Sequence, residues 1–181
     1  MASPFRLVEE RLVHQGKVIG LYECDYEAPD GTCFTREVAR HPGAVSVVAI
    51  GDDHTVTMVR QFRAALDSDL LEIPAGKIDP TDDSPLTTAK RVLTEEVGLA
   101  AGHWELLISF AQSPGFCDEM NHVFLATELS SVPRSVDGVE EEHMTIHQVP
   151  LADIPGLIDA GQLIDGKSVI GLLLALRTLG V

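Results

Sequence analysis

Short apolar runs, each ended by a turn signal or a charged stretch, recur along the N-terminal part of the chain. Within residues 5–40 they flank APDGT, whose Asp-Gly pair is typical of tight β turns. We therefore predict an antiparallel β unit of two or three strands there. The segments AVSVVAI, TVTMVRQF and DLLEIPAG predict three further strands.

Strand and helix patterns alternate in the second half of the chain. WELLISFAQS, NHVFLATEL and MTIHQVP predict strands, and the loop PGFCDEM lies between the first two. Helices are predicted for LADIPGLIDAGQL and for the apolar C-terminal stretch 168–181. This mixture predicts an α+β fold, or an α/β sandwich, around a mixed sheet.

The best-marked helix covers residues 84–97. Ser84 can cap its N-terminus, Pro85 suits its first turn, and Gly98 suits the position just past its end. At about 100° per residue, one narrow stripe should face the core. That stripe consists of Leu86, Ala89, Leu93 and Val97.

Two glutamates, Glu95 and Glu96, share a neighbouring arc of this helix with Val92, which lies one turn before Glu96. A solvated helix face is the simple interpretation of such an arc. The preceding segment LLEIPAGKIDPTDDSP changes it, because a strand that runs into an acidic loop brings carbonyl and carboxylate oxygens beside the helix. Mg²⁺ takes oxygen ligands of this kind, usually together with substrate phosphates.

Net charge and cysteine content argue against several classes of protein. The formal net charge of −15 at pH 7 argues against a nucleic-acid or membrane-surface binder. Three cysteines far apart in sequence suggest neither a disulfide framework nor a zinc site, and no signal peptide is evident, so a cytoplasmic protein is expected. The C-terminal apolar stretch is too short to span a bilayer and reads as a helix packed on the core.

The loop and helix of residues 76–99 resemble the box of the Nudix hydrolases. That box reads Gly, five residues, Glu, seven residues, Arg-Glu-apolar-x-Glu-Glu-x-Gly-apolar. The chain departs from it in three ways: Asp82 or Asp83 replaces the first Glu, the stretch from Gly76 to Arg91 is one residue longer, and Val92 replaces the Glu after the arginine. The matching positions are Gly76, Arg91, Leu93, Glu95, Glu96, Gly98 and Leu99.

The resemblance extends beyond the box to the ADP-ribose pyrophosphatase branch. Its segments are matched, in order, by TREVARHPGAVSVVAI, VRQFR, LLEIPAGKIDP and SPGFCDE, and Pro114 in QSPGF is that branch's usual mark. The resemblance implies an α/β/α Nudix sandwich in residues 43–181. It also implies an added N-terminal β unit, residues 1–42, through which such proteins pair as homodimers.

Roles in metal binding and catalysis follow from the same resemblance. The carbonyl of Ala75 and the carboxylate of Glu96 would bind Mg²⁺, for which Mn²⁺ can substitute, and Glu95 would assist; an exposed helix carboxylate is the alternative for Glu95. Val92 cannot coordinate a metal, and it lies on the carboxylate arc, not in the centre of the apolar stripe. Glu140, with Glu141 and Glu142 as neighbours, matches the catalytic base, although three consecutive glutamates are commonly a solvated charge run.

Substrate contacts are implied at five further residues. Arg63 resembles the arginine that meets the diphosphate, with a surface salt bridge as the alternative. Arg36 and Glu37 resemble contacts lent by a partner subunit, with a strand-borne ion pair as the alternative. Gly115 and Glu119 match a loop along the terminal ribose, where Gly115 could equally be a plain turn residue.

The resemblance implies Mg²⁺-dependent hydrolysis of ADP-ribose to AMP and ribose 5-phosphate, or of a related nucleoside diphosphate sugar. Loss of a carboxylate at Val92 should weaken this activity. The alternative is a Nudix-fold protein that binds ADP-ribose or a related nucleotide as a sensor or regulator without turning it over.

Overall fold

The computed structural model describes residues 3–135 and 138–180, except for the side chain of Glu140. The chain forms two compact units. The first contains Met1–Gly43 together with Ala111–Met120, and the second contains Ala44–Phe110 together with Asn121–Val181. No helix of the described residues is long and apolar enough to cross a membrane.

The first unit contains a three-stranded antiparallel sheet, which confirms the predicted N-terminal β unit. Its strands, in the order β1-β2-β3, are β1 (Arg6–Gln15), β2 (Gly20–Glu27) and β3 (Cys33–Arg40). The Asp-Gly signal forms the turn from β2 to β3, where the Gly31 N–H donates to the Ala28 carbonyl at 2.9 Å. Gly31 has φ +83°, which favours glycine at that position.

Strand β1 lies at the edge of this sheet and is exposed along its whole length. Its exposed apolar side chains are Leu7, Val8, Leu12 and Val13. Charged side chains on the same strand make ion pairs with β2: Arg6 pairs with Glu27, and Arg11 pairs with Asp25. An apolar edge strand of this kind is a natural template for pairing with another chain.

The second unit is built on a seven-stranded mixed sheet, in the order β10-β5-β4-β9-β8 with β6 on β5 and β7 on β4. Strand β4 runs parallel to β9 and antiparallel to its other neighbours. The strands are β4 (Ala44–Ile50), β5 (Thr55–Arg63), β6 (Ser68–Glu72), β7 (Ala75–Lys77), β8 (Leu99–Ala111), β9 (Met120–Ser131) and β10 (Thr145–Pro150).

Four helices complete the described part of the chain: α1 (Pro85–Val97), α2 (Val139–His143), α3 (Ile154–Asp159) and α4 (Gly166–Leu179). The helix predicted at 151–163 is shorter than expected, because it consists of a 3₁₀ turn, Leu151–Asp153, followed by α3. Helix α2 contains the run of three glutamates, where the sequence predicted no helix.

Helix α1 has the predicted ends. Ser84 Oγ accepts the Thr87 N–H at 3.2 Å, and Pro85 is the first helical residue. Gly98 ends the helix with φ +65°, and its N–H donates to the Thr94 carbonyl at 3.0 Å. The stripe that begins at Leu86 faces the core as predicted.

The core of the second unit consists of two clusters, one on each face of the sheet. Alternate residues of β4 enter different clusters: Val48 and Ile50 face one, and Val45 and Val47 face the other. Helix α1 packs into the second cluster, whereas α3 and α4 pack into the first. The predicted α/β/α sandwich is therefore confirmed for this unit.

Candidate functional site

The loop before α1 brings Ala75 and Glu96 together. The Ala75 N–H donates to Glu96 Oε2 at 3.2 Å, and Glu96 is only 5% exposed. Burial raises the pKa of Glu96 to about 8; the Ala75 N–H opposes this rise, and the charge of Glu141 adds to it. Arg63 and Lys167 lie near enough for their positive charges to lower that pKa in part.

The neighbouring Glu95 is held differently. Its carboxylate accepts a hydrogen bond from Arg91 at 2.9 Å, one helical turn earlier. Arg91 also donates to Asp82 at 3.0 Å, and Asp82 accepts from Thr88 Oγ1 at 2.8 Å. These hydrogen bonds lower the pKa of Asp82. Asp82 therefore fastens the acidic loop to α1, and its carboxylate is already occupied.

Val92 is a core residue, and the interpretation that set it apart from the core is wrong. It is 3% exposed and packs with Ala89 and Leu93. Its Cγ2 lies 2.6 Å from the point where a Cβ on Gly76 would stand. The sequence placed Val92 at the edge of the apolar stripe, but the strand that contains Gly76 covers that edge and buries it.

The surroundings of Glu96 are chemically compatible with a bound divalent cation. Within residues 3–135 and 138–180, no three His, Cys, Asp or Glu side chains converge as metal ligands do. Glu96 is nevertheless a buried carboxylate with one N–H donor and a second acidic residue, Glu141, close enough to raise its pKa. A bound cation would relieve both the desolvation and the repulsion.

The acidic segment 139–143 forms α2, which is tied to the end of α1. Arg134 Nε donates to the Glu96 carbonyl at 2.6 Å, and its Nη2 donates to the Glu141 carbonyl at 3.1 Å. The side chain of Glu140 lies outside the described part of the chain, so its catalytic role stays a prediction. The sequence offered no signal for Arg134, which lies in a polar loop.

Arg63 makes a bidentate ion pair. A surface salt bridge was the alternative predicted for this residue, but its partner here is buried. Its Nε donates to Glu72 Oε1 at 2.7 Å and its Nη2 to Glu72 Oε2 at 2.5 Å, and Glu72 is 1% exposed. Burial alone would raise the pKa of Glu72, but Arg63 and Lys167 outweigh it and lower that pKa. Glu72 and Lys167 were not among the residues predicted from the sequence, although a glutamate inside the apolar run LLEI requires a cationic partner if it is buried.

A pocket of about 590 Å³ lies in the first unit and is lined by aromatic side chains. Phe34 stacks on Tyr26 with ring centroids 5.7 Å apart and meets the edge of Phe5 at 6.0 Å. The Arg36 guanidinium lies 4.7 Å from the Phe34 ring centroid. The flat aromatic surface and the adjacent cation suit a planar, electron-rich ring system.

The pocket also contains two other residues expected to meet substrate, Glu37 and Gly115. Arg36 and Glu37 form no ion pair with each other in the described structure, because successive side chains of β3 point to opposite faces of the sheet. Arg36 lies over Phe34. A Cβ on Gly115 would meet nothing within 4 Å, so this glycine leaves open space. Glu119 does not line the pocket, and its carbonyl accepts the Gln112 N–H at 2.9 Å.

Hydrogen bonds fasten the loop from Ser113 to Glu119 to β3. The Ala39 N–H donates to the Phe116 carbonyl at 2.7 Å, and the Asp118 N–H donates to the Ala39 carbonyl at 3.2 Å. The Asp118 carboxylate accepts the His41 N–H at 2.8 Å and pairs with Arg40 at 3.2 Å. The loop is thereby a fixed wall of the pocket.

Comparison with known proteins gives consistent results. The model of the NUDIX domain matches residues 40–169. The chain is 39% identical over 163 residues to an ADP-ribose pyrophosphatase of Bacillus subtilis, covering 90% of this chain and 88% of that protein. It is 38% identical over 165 residues to a methanol dehydrogenase activator of Bacillus methanolicus, covering 91% and 89%. A solved structure described as an ADP compounds hydrolase has a TM-score of 0.84 at 24% identity, covering 99% and 96%, and shares the fold.

Proposed function

The chain belongs to the Nudix family, and from that premise we propose that it hydrolyses the pyrophosphate bond of ADP-ribose, or of a related nucleoside diphosphate sugar. The products from ADP-ribose are AMP and ribose 5-phosphate. The observation that carries the proposal is the buried Glu96 carboxylate, held against Ala75 at the end of the box and beside a second acidic segment. The similarity to the pyrophosphatase of Bacillus subtilis supports the choice of substrate.

Mg²⁺, or Mn²⁺ in its place, would be held by Glu96 with the Ala75 carbonyl, and Glu95 would assist if it left Arg91. A metal ion at such a site neutralises phosphate charge and lowers the pKa of water. The raised pKa of Glu96 fits this role, because a buried carboxylate without a cation tends to take up a proton.

The chain's own residues divide the remaining tasks. Arg63 binds oxygens of the diphosphate with the N–H groups that Glu72 leaves uncommitted. Glu140 on α2 accepts the proton of the attacking water, with Glu141 and Glu142 as the neighbouring candidates. The water oxygen bonds to one phosphorus as the bridging P–O bond breaks, and the leaving phosphate takes the bonding electron pair.

The aromatic pocket of the first unit supports binding of a nucleobase. Phe34 and Tyr26 offer ring faces, and Arg36 adds a cation beside them. Nucleobases stack on such aromatic surfaces with little dependence on which base it is. The pocket therefore agrees with an adenosine-containing substrate.

Assembly and location are further parts of the proposal. The apolar edge strand β1 supports a homodimer formed through the first unit, in which Arg36 and Glu37 would serve the partner's site. A cytoplasmic location agrees with three free cysteines, because a reducing compartment preserves thiols.

A regulatory role is the second candidate. Val92 removes a carboxylate from the position where the Nudix box has one, and a relative with 38% identity is named a methanol dehydrogenase activator. In this role the present chain would bind ADP-ribose or a related nucleotide and turn it over very slowly or not at all.

One experiment separates the two candidates. Purified protein is incubated with ADP-ribose and Mg²⁺ or Mn²⁺, and AMP release is measured for wild type, Val92→Glu and Glu96→Gln. We expect wild-type turnover on the order of a hundredfold below the Val92→Glu variant, equivalent to about 2–3 kcal/mol of barrier, and none from Glu96→Gln. If neither wild type nor Val92→Glu releases AMP while both bind ADP-ribose by calorimetry, the hydrolase proposal fails and the regulatory role stands.

A further inference from the structure

We propose that Lys167 and Glu72 are positioning residues, which hold the Arg63 guanidinium in the orientation that binds the diphosphate. The inference rests on the proposed function, because it takes Arg63 as a substrate contact. It assigns a role to the start of α4, a helix that the sequence predicted only to pack on the core.

Arg63 is held along one edge and left open along the other. Glu72 takes a hydrogen bond from Nε and one from Nη2, which fixes the plane of the guanidinium. Arg63 makes no other hydrogen bond within the described residues, and its side chain is 37% exposed. The remaining N–H groups, including both on Nη1, can therefore reach an anion, which a planar fork binds in two places at once.

Glu72 has its own anchor. Lys167 Nζ donates to Glu72 Oε2 at 2.5 Å, and Glu72 and Lys167 are 1% and 7% exposed. A buried carboxylate keeps its charge and its place only if hydrogen bonds and opposite charge surround it. Lys167 therefore holds the Oε2 atom that also accepts from Arg63 Nη2.

The first turn of α4 fixes Lys167 in turn. Asp165 accepts from Lys167 Nζ at 2.9 Å and caps the helix by accepting the Ser168 N–H at 3.0 Å. Ser168 Oγ accepts the Ile73 N–H at 2.8 Å, so the backbone next to Glu72 is held by the same turn. Both the side chain and the backbone position of Glu72 therefore depend on α4.

Charge balance gives this arrangement a consequence for catalysis. With Lys167 present, two cations face Glu72, and Asp165 offsets one of them. Without Lys167, Glu72 would draw Arg63 more strongly and would lose the contact that fixes Oε2. The Arg63 guanidinium would then be less well oriented and would bind the diphosphate more weakly, while contacts to the nucleoside would be unchanged.

The test is a double-mutant cycle on kcat/KM for ADP-ribose. Lys167→Met should lower kcat/KM at least tenfold in the wild-type background and less than twofold in the Arg63→Ala background. Lys167→Arg, which keeps the charge, should recover most of the loss, and Lys90→Met on the exposed face of α1 serves as the matched control. Equal losses in both backgrounds would show that Lys167 does not act through Arg63 and would overturn the proposal.

Binding measurements keep this inference separate from the proposed function. If wild type hydrolyses no nucleoside diphosphate sugar, calorimetry with ADP and with adenosine replaces kinetics. The proposal then requires Lys167→Met to weaken ADP at least tenfold and adenosine less than twofold, and an equal effect on both ligands, or none on ADP, overturns it. Lys167→Gln takes the place of Lys167→Met if the latter does not fold by circular dichroism.

Discussion

Val92 Cγ2 occupies the space beside Gly76, 2.6 Å from where a Cβ on that glycine would stand. The contact joins the middle of α1 to β7, the short strand that precedes the acidic loop. A carboxylate at position 92, as the Nudix box has it, would face the same strand. In this chain an apolar contact between Val92 and Gly76 therefore takes the place of a carboxylate, which would need a cation or a hydrogen-bond donor as its partner.

Gly76→Ala should lower the free energy of unfolding by about 1–3 kcal/mol, because a Cβ there overlaps Val92. Val92→Ala in the same chain should recover part of that loss. Unfolding in urea measures both effects, with Gly156→Ala as a control because a Cβ there meets nothing within 4 Å. Equal stability of Gly76→Ala and wild type would contradict the packing argument.

Val92→Glu should lower the free energy of unfolding by about 1–3 kcal/mol in EDTA, because it places a polar group at a position that is 3% exposed. Added Mg²⁺ should restore most of it if Glu96 and the new carboxylate share an ion. Thermal melts with and without Mg²⁺ measure this. Val97→Glu, in the same core cluster, is the control and should be destabilised without responding to Mg²⁺.

Asp82→Asn should show a pH-dependent loss of stability. Hydrogen bonds from Arg91 and Thr88 hold the pKa of Asp82 below its ordinary value. The stability that this carboxylate contributes is fully present above the unfolded pKa, about 3.9, and is lost as pH falls through the lower folded pKa.

The difference between wild type and Asp82→Asn should therefore be about 1 kcal/mol at pH 7 and should shrink below about pH 4. Chemical denaturation measures this difference between roughly pH 2.5, where a carboxyl of ordinary pKa is protonated, and roughly pH 7, where it is ionised. Asp83→Asn, an exposed neighbour, should differ little from wild type at any pH. A constant difference over the whole range would mean that Asp82 acts without its charge.

Arg134→Met should lower kcat about tenfold with a smaller change in KM, because it releases α2 from the end of α1. Amide hydrogen exchange should become faster in Val139–His143 and stay unchanged in β4. Arg177→Met, an exposed arginine on α4, is the matched control. Unchanged exchange in α2 would show that the two hydrogen bonds of Arg134 do not hold it.

Phe34→Ala should weaken AMP binding by about 1–3 kcal/mol through loss of a stacking face, and should leave ribose 5-phosphate binding unchanged. Calorimetry with the two ligands separates the base from the phosphate. Phe62→Ala, on an exposed part of β5, tests for general effects of losing an aromatic ring. Equal loss for both ligands would argue against a base in this pocket.

Local signals predicted the fold well where they were chemically specific. Ser84, Pro85 and Gly98 marked the ends of α1, and the Asp-Gly pair marked the turn at Gly31. The helix at 151–163 was predicted too long, because Gly161 has φ +66° and the first turn is 3₁₀. Helix α2 was missed because three successive glutamates give no apolar periodicity.

The site was predicted less completely, because its geometry depends on residues far apart in sequence. The structure brings Ala75 and Glu96 together, the two residues that the family resemblance implied as metal ligands, but nothing in the order of residues pairs Glu72 with Lys167. The burial of Val92 depends on β7, whose three residues are too few to show a period. Pairings between distant segments are therefore where the sequence is least informative.

The division of the first unit into two stretches, Met1–Gly43 and Ala111–Met120, bears on how the protein is made. A ribosome adds roughly 5–20 residues per second, so the N-terminal sheet emerges several seconds before the segment that completes its unit. During that interval β3 lacks the hydrogen bonds that Ala39 later makes with Phe116 and Asp118. A gene cut after Gly43 would leave both products incomplete, and a chimaera between relatives would have to carry both stretches from the same parent.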